Sequence, residues 1–174
     1  MTQERFERER ERLWQDAWRE WPGKRENAVS FVLDCDSHAD ESLFRIVAVL
    51  KVMVSCTDSE EVMQRAGQLL PKWFVVQFAP RMSEKEEAKW LEEWEHMTDA
   101  ERVNAVREER WSLEEWVYWF RHDVRTWTWS GARVRDDGRL EVCVETTELP
   151  FPTGALYWLF RACGAREVVA EYDV

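Results

Sequence analysis

Three stretches of the chain carry residues whose types and spacing could do chemistry. In FVLDCDSHADE, residues 31–41, Asp34, Asp36, His38 and Asp40 fall on alternate positions after an apolar run. Oxygen ligands with one imidazole suit Mn, Fe or Mg. Alternate side chains point the same way only while the backbone stays extended, however. Ser37 with Asp40 three residues on has the spacing of a capping box, in which a hydroxyl and an acid satisfy amides left unpaired at a helix start. The expectation is therefore a capped strand-to-helix turn, with acids where the helix dipole favours them, and no metal or other cofactor.

A strand ending in Asp34-x-Asp36 resembles the nucleophile loop of haloacid dehalogenase-like phosphotransferases. The resemblance covers about eight residues and implies Asp34 as nucleophile and Asp36 as acid/base. That chemistry also needs a hydroxyl, a lysine and a second acidic pair to hold magnesium and offset phosphate charge. Asp136-Asp137 does not supply the pair, because it precedes Gly138 in a stretch where Asp and Gly are wanted for backbone reasons.

Glu93-x-x-His96 matches half of the motif that binds di-iron in helical bundles, which needs the motif twice plus two further glutamates. Neither His38 nor His122 repeats it, so a solvated helix face is expected. No G-x-S-x-G and no Gly-rich phosphate loop occurs.

The third stretch is WSLEEWVYWFRHDVRTWTW, residues 111–129, with five tryptophans beside Arg121, His122, Asp123 and Arg125. Tryptophan with arginine forms interface hot spots, and an aromatic wall beside acids can receive a cationic or sugar-like ligand. The competing account is that the aromatics pack a helical part onto a hairpin. Trp116, Trp119, His122, Arg125, Trp127 and Trp129 are the candidate binding residues.

The elements that must position these groups follow from composition and period. A chain of 174 residues, 45% hydrophobic and 13% aromatic with twelve tryptophans, has enough apolar surface for one folded domain, 1–174, despite a net charge of -11. Acids outnumber Lys and Arg by 35 to 24 and interleave with them, which opposes nucleic acid and anionic membranes and favours a basic protein or cationic ligand. Cys35, Cys56, Cys143 and Cys163 lie far apart and read as reduced structural cysteines. No apolar stretch is long enough for a leader or a span, so the expected location is cytoplasmic.

Residues 1–21 read as an amphipathic helix with a solvated charged face, stopped by Pro22-Gly23. Residues 28–34 read as a strand. Hydroxyl-plus-acid pairs at Ser37/Asp40, Thr57/Glu60, Ser83/Glu86, Thr98/Glu101 and Ser112/Glu115 predict helices near 38–55, 58–70, 83–97, 99–109 and 113–122. After His122 the period becomes two: 124–135 and 139–147 flank Asp136-Asp137-Gly138 as a hairpin, with Val134 opposite Leu140 and a bulge near Ser130-Gly131. Thr153 then caps a helix ended by Gly164, and a last strand covers 167–172.

The fold class expected is α+β, with mostly helical N-terminal two thirds packed on a small antiparallel sheet and a β-β-α-β unit over 124–174. The functional expectation is a small acidic protein-binding module, toxin-neutralising or adaptor-like, that uses a Trp-rich surface and carries no recognisable catalytic set in its sequence. The alternative is a small-molecule-binding protein or enzyme with a pocket lined by Trp, His and Asp.

Overall fold

A computed structural model describes residues 3–17, 21, 27–56, 65–80, 82–108 and 111–171. Along them run α1 (Gln3–Trp14), β1 (Ala28–Asp34), α2 (Ala39–Ser55), a helical run α3 (65–69), α4 (Lys72–Val75), α5 (Glu84–His96), α6 (Asp99–Glu108) and α7 (Leu113–Tyr118). The hairpin β2 (Trp127–Val134) and β3 (Leu140–Thr146), then α8 (Gly154–Ala162) and β4 (Glu167–Glu171), complete an α+β fold.

All pairings in the four-stranded sheet are antiparallel, in the order β2-β3-β1-β4. The N-terminal strand thus lies inside the C-terminal unit and joins β4 to the hairpin. Val134 faces Leu140, Ala132 faces Val142 and Arg133 faces Glu141, as the alternation requires. A register shift between Trp129 and Gly131 puts both hairpin tryptophans on the face of Ala132 and Val134. Gly138 turns the hairpin at φ 79, a conformation that costs glycine little.

Val29, Phe31, Leu33, Leu140, Val142 and Val144 share that face, and α2 and α8 cover it with Ile46, Leu50, Leu156, Leu159 and Phe160. Each such fully buried side chain contributes about 1.5–3 kcal/mol of transfer free energy. After α3, Pro71 takes the N-cap of α4 and Phe74 is buried.

The capping boxes at Ser83 and Ser112 are complete in both directions, and Thr98 exchanges the same bonds with Glu101. Thr57/Glu60 lies outside the described residues, as does the Pro22-Gly23 stop. Ser37/Asp40 is a correction: α2 starts at Ala39, its N-cap is His38, and no side chain caps it. Asp34 Oδ1 instead accepts the Asp36 N–H at 3.1 Å, which turns the chain and leaves Asp36 and Ser37 left-handed at φ 46 and 68. A capping serine needs an extended backbone. Thr153 holds the N-cap position of α8 but is helical at φ -105, ψ -8, so its hydroxyl makes no capping bond.

Two helices are shorter than their periodicity predicts. α1 ends at Trp14, ahead of a left-handed Asp16 at φ 53. α7 ends at Tyr118, because Trp119 and Phe120 tighten the last turn by donating to Trp116 and Val117.

Candidate functional site

The residues singled out between 111 and 129 divide by burial. Trp116, Trp127, Trp129 and Arg125 are core, whereas Trp119 and His122 are half-buried. The capping box at Ser112 aims Trp116 inward, where its indole Nε1 donates to the Ala155 carbonyl at 3.0 Å and its ring meets Phe74 and Phe120. Phe120 stands edge-on to Trp127 at 5.4 Å. These aromatics pack α7 onto β2, the second of the two accounts weighed from sequence, and Trp116, Trp127 and Trp129 form no exposed wall. Tyr118 is the large exposed aromatic of the stretch.

Arg125 does something the sequence did not announce. Its guanidinium donates to the carboxylate of Glu9 on α1, and both side chains are 1% exposed. The second Glu9 oxygen accepts the backbone N–H of Trp129 at 2.7 Å. Arg12, one turn on, donates to the Ser130 carbonyl at 2.9 Å and its hydroxyl at 3.1 Å. The charged face of α1, expected to be solvated, therefore seals the outer edge of β2: an acid takes the place of a strand's carbonyl and an arginine that of its amide. Burial pushes the Glu9 carboxyl up, against the opposing pull of Arg125 and the Trp129 N–H.

Phe6 is buried against this pair. Its ring is 4.7 Å from the Arg125 guanidinium and stacks on His122 at 4.0 Å. Burial holds His122 below its usual range, and Arg125 adds to the effect. Beside the pair is a notch of about 30 Å³ lined by Arg5, Arg8, Glu9 and Arg12, room for a water and not for a metabolite.

The acidic turn is occupied by its own chain. Arg166 donates to Asp34 and stands 3.4 Å from Asp36. The Asp36 N–H, then Arg166, hold the Asp34 carboxyl below the usual range. His38 Nδ1 bonds the Asp36 carbonyl at 2.7 Å. Among the described residues no three His, Cys, Asp or Glu side chains converge as metal ligands. Asp137 is bound by Arg139 in the hairpin turn, so the second acidic pair of a phosphotransferase is not assembled. A hollow of about 360 Å³ beside that turn is lined by Arg133, Val134, Arg135, Asp136 and Asp137, and Arg139 already holds Asp137 there. The four cysteines are reduced and buried, and burial raises the thiols of Cys35, Cys56 and Cys163.

The surface that sequence reading passed over is α5. Capped by Ser83, it is thirteen residues long and none of them is fully buried, although Trp90 and Trp94 are half-buried. Trp90 and Trp94 stack one turn apart at 5.1 Å, and Leu91 beside them is 52% exposed. Six glutamates surround this stripe against two lysines. Arg102 of α6 donates to the Trp94 and Glu95 carbonyls and lies over the Trp94 ring at 5.7 Å, tying the two helices together. Glu93 pairs with Lys89 at 3.4 Å and His96 donates to the Glu92 carbonyl, so the Glu-x-x-His spacing marks an exposed helix. The signal was present in Trp90-x-x-x-Trp94 between two capping boxes, a stripe too narrow for a core-facing helix.

Fold and surface together define an α+β domain with an acidic, aromatic helix pair at its surface. Comparison with known protein families, with characterised proteins and with solved structures finds no match for this chain. No helix among the described residues is long and apolar enough to cross a membrane.

Proposed function

We propose that this chain is a small acidic protein-binding module of the cytoplasm, toxin-neutralising or adaptor-like, which engages a basic partner through α5. One observation carries the reading: a thirteen-residue helix with no fully buried side chain sets two stacked, half-buried tryptophans beside an exposed leucine, with six glutamates along it. Helices in water draw most of their stability from packing an apolar face, and here a partner supplies that packing. Tryptophan anchors with an acidic rim suit a partner whose apolar patch is bordered by Lys and Arg, which the charge also steers into contact. A pocket lined by Trp, His and Asp draws no comparable support, since Trp116, Trp127 and Trp129 offer solvent almost no surface.

A photo-crosslinking residue at position 91, expressed in the native host, tests this. The expected product is one stoichiometric adduct with a basic protein, lost when Trp90 and Trp94 are both changed to Ala. The same crosslinker at Phe44, which is 74% exposed on α2, serves as reference. Equal adducts from both positions, or none from 91, would sink the reading.

A further inference from the structure

The sheet has two edges, and they are treated differently. The β2 edge is closed by α1, with Glu9 on the Trp129 N–H and Arg12 on the Ser130 carbonyl. The β4 edge is open: no described segment pairs with its outer side. Alternate residues of an edge strand point N–H and C=O groups outward, a template for another strand. β4, EVVAE, carries no proline, lysine or bulge to blunt it. Glu167, Val169 and Glu171 are exposed on one face, Val169 by 49%. Val168 and Ala170, on the other, pack half-buried against the core.

The charges choose the occupant. Antiparallel self-pairing centred on Val169 sets Glu167 of each copy opposite Glu171 of the other, two like-charge pairs that disfavour a second copy. Arg166, the neighbouring cation, is engaged by Asp34 and Asp36. Arg135 forms a long ion pair with Glu171 at 3.8 Å, and the Glu171 side chain keeps about half its surface open to solvent.

We propose that β4 is a second docking edge, independent of α5. It accepts, antiparallel, an extended segment of a partner protein with basic residues four positions apart and three β-branched or apolar residues between them. In that register each cation faces a glutamate, and the residues opposite Val168 and Ala170 lengthen the core-facing side of the sheet.

The test uses the full chain and a capped seven-residue peptide carrying valine, threonine and valine between two lysines. Amide hydrogen exchange read by NMR should slow at least tenfold on alternate residues of β4 when the peptide saturates, with no change in β2. A peptide with glutamates in place of the lysines should leave exchange unaltered. The E167K/E171K variant, changed at two exposed positions, should reverse the preference and take the glutamate peptide. Unslowed β4 amides with the lysine peptide, equal effects from both peptides, or concentration-dependent slowing without any peptide would each overturn the proposal. The last would identify the occupant as a second copy.

Discussion

The Glu9 carboxylate and the Arg125 guanidinium meet inside the protein, 116 residues apart in sequence, and the same carboxylate holds the backbone of the sheet's edge strand. Removing one member of a buried pair leaves the other charge uncompensated, which costs about 3–5 kcal/mol. Glu9→Ala and Arg125→Ala should each destabilise by that order in urea unfolding. Joint replacement by Leu at 9 and Met at 125 should recover most of the loss. The shortfall expected is the acceptor taken from the Trp129 N–H, roughly 1–3 kcal/mol. Additive single losses would show that the two residues do not act as a unit.

His122 gives this junction a pH dependence of definite sign. Burial, with Arg125 and Arg10 adding to it, lowers its folded value below the ordinary 6.5, while Asp123 opposes. The unfolded chain then binds more protons in the window just below pH 6.5, so stability falls there as pH falls. His122→Phe keeps the stack on Phe6 and removes the titration. The variant's advantage over wild type in chemical unfolding should widen as pH drops through that window and stay flat above it. An unchanged difference from pH 7 downward would contradict the assignment.

Two serines with the same sequence signature should respond oppositely. Ser112 accepts the Glu115 N–H at 3.2 Å, and Ser112→Ala should cost about 1 kcal/mol. Ser37 caps nothing and sits at φ 68. Ser37→Gly should gain about 0.5–1 kcal/mol, relief of a left-handed penalty of roughly 1–2 kcal/mol outweighing glycine's unfolded-state entropy. Thermal or urea unfolding of both variants decides it, and a loss at Ser37 would restore that residue to a capping role.

That pair also shows what sequence could convey. A capping box is legible when the preceding backbone is free to be extended, as before Ser83 and Ser112. It misleads when an earlier side chain has already turned the chain, as Asp34 does. The hairpin register was readable because alternation over 124–147 leaves one pairing that keeps Val134 and Ala132 facing Leu140 and Val142. Tryptophan content named the segment around Trp116 without saying which way each ring points, since packing and display use the same residues. Glu9 was unreadable for a further reason. Among the alternating acids and arginines of α1 nothing marks it, and its burial depends on an arginine and an edge amide far along the chain.

The closing of β2 by α1 imposes a sequence of events on synthesis. The helix that seals the edge leaves the ribosome more than a hundred residues ahead of the strand it seals. Until then Glu9 and Arg12 lack their partners Arg125, Trp129 and Ser130, and any chain halted before residue 127 carries a lid with nothing to close. The helix thus commits after it has been made, and the arrival of β2 is what shuts that border against unrelated strands.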